Sequence, residues 1–91
     1  MQAVRLVITG RVQGVGYRVW LQREAMRAGV IGWVRNRRDG TVEAAIGGRR
    51  DQIEAMLDTA RRGPPGSRVD EILRHHHGGE LPQRFSILPT A

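Results

Sequence analysis

The 91-residue sequence contains neither cysteine nor lysine. The absence of cysteine excludes disulfides, thiolate nucleophiles and cysteine-ligated metal sites. The absence of lysine excludes the P-loop nucleotide-binding motif and Schiff-base catalysis. No apolar run approaches the roughly 18 residues that a membrane span requires, and the N-terminal residues lack the pattern of a signal peptide. We therefore expect a cytoplasmic protein that does not associate with membranes and whose fold depends on core packing.

Aromatic residues are also scarce, at 4% of the chain, whereas the formal charge is +6. The positive charge favours anionic partners. A nucleic-acid-binding module of this size would need aromatic side chains on its central strands to stack bases. The predicted strands at 4–9 and 41–47 carry none, so the three arginine runs (Arg35-Arg37-Arg38, Arg49-Arg50 and Arg61-Arg62) are interpreted as solvated surface, and we expect no specific nucleic-acid partner.

Hydrophobic periodicity and turn residues predict seven secondary-structure elements in one domain, residues 1–91. Strands are predicted at 4–9, 31–37, 41–47, 69–76 and 85–88, and helices at 17–28 and 51–62. Gly29 is expected to cap the first helix, and Asp39-Gly40 to form a hairpin turn. Right-handed crossovers place both helices on one face of the sheet. The predicted fold is an α+β ferredoxin-like βαββαβ sandwich, with a mostly antiparallel sheet and a short extra C-terminal strand.

The segment that leads into the first helix has the character of an anion-binding loop. Its residues are Gln13, Gly14, Val15, Gly16, Tyr17 and Arg18. The glycines allow backbone conformations in which successive amides converge on one anion at the helix N-terminus. Arg18 can donate two charge-assisted hydrogen bonds to one phosphoryl group. The alternative is a plain connector followed by a surface arginine.

Asn36 is the second candidate, at the end of the strand that precedes the hairpin turn. An amide side chain both donates and accepts hydrogen bonds, so Asn36 can hold a water by its oxygen beside a bound phosphoryl group. The alternative is an asparagine that caps the turn.

These residues lie within two segments that resemble the signatures of the acylphosphatase family. The segments are Gly10-Arg11-Val12-Gln13-Gly14-Val15-Gly16-Tyr17-Arg18 and Gly32-Trp33-Val34-Arg35-Asn36-Arg37-Arg38-Asp39-Gly40-Thr41-Val42-Glu43. The resemblance extends to Gly63-Pro64 and to Phe85-Ser86-Ile87, so it covers essentially the whole chain.

The resemblance implies an enzyme that hydrolyses a small-molecule acyl phosphate to a carboxylate and inorganic phosphate, without a metal or other cofactor. It implies that Arg18 and its loop bind phosphate and that Asn36 positions the attacking water. We expect a monomer. A related alternative is a standalone relative of the acylphosphatase-like domains of larger carbamoyl-transfer proteins.

Several other features invite functional interpretations. His75, His76 and His77 could place two imidazoles on one strand face, but we expect no metal site there. Carboxylates such as Asp39 and Glu43 are expected to have surface or turn roles, and Trp20 and Trp33 to lie in the core or a cleft wall. A non-catalytic anion- or nucleic-acid-binding module, or a structural or regulatory ferredoxin-like domain, remains an alternative function.

Overall fold

The computed structural model describes residues 1–91 and contains two helices and one five-stranded sheet. The elements are β1 (Gln2–Arg11), α1 (Tyr17–Ala28), β2 (Ile31–Asn36), β3 (Val42–Gly48), α2 (Arg50–Arg62), β4 (Arg68–His76) and β5 (Ser86–Ile87). The predicted element order is therefore confirmed. No helix has both the length and the apolar character needed to cross a bilayer.

The strands follow the order β4-β1-β3-β2-β5 across the sheet. All neighbours are antiparallel except β2 and β5, which are parallel. The ferredoxin-like fold and its extra C-terminal strand are confirmed. β1 is longer than the predicted 4–9, because Gln2 and Ala3 pair with Gly48 and Gly47 of β3. β5 is shorter than the predicted 85–88, because only Ser86 and Ile87 pair with β2.

The core lies between the helices and one face of the sheet. Alternate residues of β1, namely Val4, Leu6 and Ile8, enter it, as the period of a half-buried strand requires. The helical periods also hold, since α1 buries Tyr17, Leu21 and Ala25, and α2 buries Ile53, Met56, Leu57 and Ala60. Helix α1 ends at Gly29, which caps it as predicted.

The opposite face of the sheet carries no helix, and arginine and tryptophan side chains cover part of it. Trp33 lies there rather than in the core, because its neighbour Val34 points inward. The guanidinium carbon of Arg35 lies 4.9 Å from the centre of the Trp33 ring. One stacking surface of this tryptophan is therefore already occupied. Trp20, by contrast, packs against the core as expected.

Candidate active site

The loop between β1 and α1 adopts the conformation that its glycines predict. Gly14 and Gly16 have φ angles of 74° and 77°, in the left-handed region that glycine adopts without strain. Gly16 is also the N-cap of α1, and its carbonyl accepts the first helical hydrogen bond, from the N–H of Trp20 at 3.1 Å. The N–H groups that precede Trp20 in the first turn of α1 therefore lack intrahelical acceptors and are available to an anion.

These loop residues surround a pocket of about 110 Å³ together with the end of β2. The lining residues are Val12, Gln13, Gly14, Gly16, Tyr17, Arg18, Val19 and Asn36. The structure thus brings five of the six predicted loop residues together with Asn36. Val15 is the exception, because its side chain packs against the hydrophobic core instead.

Arg18 supplies the positive charge of this pocket. Its half-buried side chain takes part in none of the eight ion pairs of the structure. The planar donor fork of the guanidinium is therefore available for an anionic ligand.

Asn36 lies at the end of β2 with its backbone fixed and its side-chain oxygen unpartnered. Its carbonyl accepts a hydrogen bond from the N–H of Ala91 at 3.0 Å. The Oδ1 atom is buried and makes no hydrogen bond. Buried polar atoms normally have partners, so an orphan oxygen in a pocket is a candidate for binding water.

The interpretation of Asn36 as a turn cap is wrong, because Asp39 holds the turn. Its Oδ1 accepts hydrogen bonds from the backbone N–H of Thr41 at 3.0 Å and from the Thr41 hydroxyl at 2.7 Å. These two bonds lower the pKa of Asp39. The predicted turn role of Asp39 is confirmed.

Two loop side chains are committed to structural contacts. The Nε2 amide of Gln13 donates to the carbonyls of Arg37 and Thr41, at 2.8 Å in each case. Tyr17 is 1% exposed, and its hydroxyl donates to the carbonyl of Ala60 at 2.7 Å. Burial raises the pKa of this phenol, so the phenol stays neutral. Any contact of Tyr17 with an anion would therefore come from its backbone.

Val12 and Val19 line the pocket although the sequence interpretation did not select them. Val12 is buried, whereas Val19 is 53% exposed at the pocket mouth. The only sequence signal was position, since Val19 follows Arg18 in the first turn of α1. An exposed valine there gives the mouth an apolar wall.

Glu43 corrects another expectation, because this carboxylate is 4% exposed rather than on the surface. It accepts hydrogen bonds from Arg35 at 2.7 Å, Arg5 at 3.0 Å and Arg37 at 3.1 Å. Burial alone would raise the pKa of Glu43, but the bonds from the three guanidinium groups outweigh burial and hold it below its usual value. Arg35 and Arg37 therefore belong to a partly buried ion cluster, and only Arg38 of this run is fully exposed.

The histidines lie at the far end of β4. His77 packs edge-on against Trp33, with ring centres 6.4 Å apart, and its backbone N–H donates to the carbonyl of Ala3. The structure contains no group of three or more histidine, cysteine, aspartate or glutamate side chains arranged to hold a metal ion.

Comparison with known proteins assigns this arrangement to a family. The sequence profile of the acylphosphatases matches residues 4–87. The chain belongs to the acylphosphatase family. An acylphosphatase of Bradyrhizobium diazoefficiens is 44% identical over 93 residues, covering 96% of this chain and 94% of the relative. An acylphosphatase of Nitrobacter hamburgensis is 48% identical over 92 residues, covering 94% and 93%.

Solved structures of the acylphosphatase family agree with the sequence comparison. The crystal structure of acylphosphatase from Bacillus subtilis superposes with a TM-score of 0.92 at 37% identity, covering 97% of this chain and 99% of the other. The expected family and its fold are therefore confirmed over nearly the whole chain.

Proposed function

We propose that this chain, acting as one domain over residues 1–91, hydrolyses the carboxyl–phosphate bond of acyl phosphates to give a carboxylate and inorganic phosphate. In this proposal the loop from Gln13 to Arg18 binds the phosphoryl group, and Asn36 positions the attacking water. Membership of the acylphosphatase family supports the reaction, and the geometry of the pocket supports the residue roles.

One observation carries the assignment of roles. A single small pocket is lined by the unpaired Arg18 and by Asn36, whose Oδ1 atom is buried without a partner. The guanidinium and the free amides of the first turn can neutralise phosphoryl oxygens. The Oδ1 atom of Asn36 can accept a hydrogen bond from a water. That bond orients the water so that a lone pair of the water oxygen faces phosphorus.

The chemistry requires little more than these groups. The water oxygen forms a bond to phosphorus as the bond from phosphorus to the acyl oxygen breaks, and the electron pair leaves with the carboxylate. Carboxylates are weak bases with pKa values of about 4, so the leaving group needs no proton from the protein. The loose phosphoryl-transfer transition state is stabilised mainly by positioning and by donors aimed at its oxygens. The water's proton passes to the phosphate or to solvent.

The size and position of the pocket suggest the kind of substrate. A pocket of about 110 Å³ accommodates the phosphoryl group and leaves the acyl group at its mouth, beside the exposed Val19. A site that holds only the phosphoryl end accepts a range of small acyl phosphates. We propose that the enzyme acts as a monomer in the cytoplasm, without a cofactor and without a specific nucleic-acid partner.

Hydrolysis of a simple aromatic acyl phosphate, followed with a chelator present, tests this proposal. Arg18→Ala should abolish turnover and raise the inhibition constant of inorganic phosphate at least tenfold, because each charge-assisted hydrogen bond contributes about 1.5–3 kcal/mol. Asn36→Ala should lower kcat about a hundredfold and leave the phosphate inhibition constant nearly unchanged. Arg23→Ala is the matched control, since Arg23 is an exposed arginine of the same helix.

Each variant can contradict its own assignment. Full activity of Asn36→Ala would exclude the water-positioning role, and unchanged phosphate inhibition of Arg18→Ala would exclude phosphate binding by this arginine. A folded parent protein without turnover would contradict the reaction and favour the anion-binding alternative.

A further inference from the structure

We infer that the side chain of Gln13 is a positioning residue for the reaction: it fastens the phosphate-binding loop to the hairpin turn and so sets the distance between the bound phosphoryl group and the water held by Asn36. This inference rests on the proposed function and extends it to a side chain with a different role from its loop neighbours.

The hydrogen-bonding capacity of Gln13 excludes its amide nitrogen from phosphate binding. A primary amide has two N–H donors, and Nε2 donates to the carbonyls of Arg37 and Thr41 at 2.8 Å each. The remaining side-chain atom, Oε1, is an acceptor and cannot donate to an anion. Both donors of the side chain are therefore directed at the backbone of the turn that follows Asn36.

The hairpin turn closes without help from Gln13. The carbonyl of Arg37 also accepts the N–H of Gly40 at 3.1 Å, and the carbonyl of Thr41 also accepts the N–H of Arg37 at 2.8 Å. Removing the glutamine amide thus leaves both carbonyls with a partner. Its two bonds are better explained as a link between segments than as support for the turn.

That link is the only hydrogen-bonded connection between residues 12–16 and residues 36–41. Val12 and Val15 hold the loop to the core, but neither contact reaches the hairpin turn, and a side-chain carbon placed at Gly14 or Gly16 would meet nothing within 4 Å. Asn36 is fixed from the other side, through the bonds of β2 and Ala91. Reaction requires the water oxygen to lie about 3–3.5 Å from phosphorus, a distance that spans these two otherwise separate segments.

Gln13→Met tests the inference, because methionine has a similar length and no N–H donor. The loop amides and Arg18 remain, so the inhibition constant of inorganic phosphate should stay within about threefold of the parent value. Loss of alignment should lower kcat about tenfold or more, since displacements of about 1 Å can cost a hundredfold. Gln22→Met is the matched control. Gln22 also donates its amide to a backbone carbonyl, that of Phe85 at 2.9 Å, but it does not line the pocket.

A spectroscopic readout separates positioning from a general loss of structure. Asn36 is the only asparagine of the chain, so it contributes one side-chain NH₂ pair to a ¹⁵N–¹H spectrum. Gln13→Met should shift or broaden this pair, and Gln22→Met should leave it unchanged.

The outcomes distinguish the inference from the proposed function. An active parent with an unchanged kcat in Gln13→Met would overturn the inference alone. A rise of the phosphate inhibition constant in proportion to the loss of kcat would also overturn it, by showing that the side chain supports phosphate binding. An inactive parent would contradict the proposed function and the inference with it.

Discussion

The hydroxyl of Tyr17 should be worth a measurable part of the stability of this chain. Tyr17→Phe keeps the buried ring and removes only the hydrogen bond to the Ala60 carbonyl, 2.7 Å long. In a continuing helix that carbonyl would accept the N–H of residue 64, which is Pro64 and has none. Because no other donor reaches it, Tyr17→Phe leaves a buried carbonyl unsatisfied.

The expected cost follows from that loss. An unsatisfied buried acceptor costs about 1–3 kcal/mol, so we expect the free energy of unfolding to fall by about 2 kcal/mol. In a domain of this size that change lowers Tm by about 8–16 °C. The ionisation of the phenol adds a pH dependence. Burial raises the pKa of Tyr17 in the folded chain, so the phenol of the unfolded chain loses its proton at a lower pH than that of the folded chain. The free energy of unfolding of the parent should therefore decline as the pH rises above about 10.

Thermal and denaturant unfolding, followed by circular dichroism, measure both effects. Thr59→Val is the control, because the Thr59 hydroxyl also donates to a helical carbonyl, that of Ala55 at 3.1 Å, but in an exposed position. Water replaces that bond, so the control should lose less than about 0.5 kcal/mol. A loss in Tyr17→Phe no larger than in Thr59→Val would refute the reasoning about the orphan carbonyl.

Two further predictions concern buried polar groups. Glu43→Gln should lower the free energy of unfolding by about 2 kcal/mol, because the carboxylate balances three arginines, and denaturant titration at neutral pH measures it. The pKa of Glu43 in the folded chain lies below its usual 4.5, so the stability that its carboxylate contributes to the parent should be lost as the pH falls below 4.5. A Glu43→Gln variant that lost the same stability in acid would contradict the assignment of this pH dependence to Glu43. Asn36→Ala should leave Tm unchanged or raise it, because it removes an unpartnered buried oxygen; a fall of several degrees would show that this oxygen has a stabilising partner.

The sequence predicted most of the fold because the signals for its elements are local. Tyr17, Leu21 and Ala25 recur at helical spacing, and Asp39-Gly40 marks the turn by its own chemistry. The gathering of the loop with Asn36 around one pocket also follows from the topology, since β1 and β2 both run antiparallel to β3 and their C-terminal ends therefore lie at the same edge of the sheet.

What the sequence did not predict depends on contacts between distant segments. Glu43 is expected at the surface because isolated charges avoid burial, yet Arg5 and Arg35 on the neighbouring strands cover it, and only the strand register reveals this. Gln13 shows the same limit. The carbonyls that accept its hydrogen bonds, those of Arg37 and Thr41, lie 24 and 28 residues away in sequence. No local sequence pattern shows which backbone carbonyls a glutamine side chain will bind.

The internal position of β1, between β4 and β3, has a consequence for how the chain folds. Val4 pairs with Ile46 on one side and with His76 on the other, so the strand that leads into the phosphate loop joins segments distant in sequence. The entropy lost in closing such long loops precedes the gain from pairing, so this topology should fold more slowly than a helical bundle of the same size. The pocket also needs β1, α1 and β2 in place together. A bound anion should therefore slow unfolding far more than it speeds folding, and protect the enzyme kinetically once it is formed.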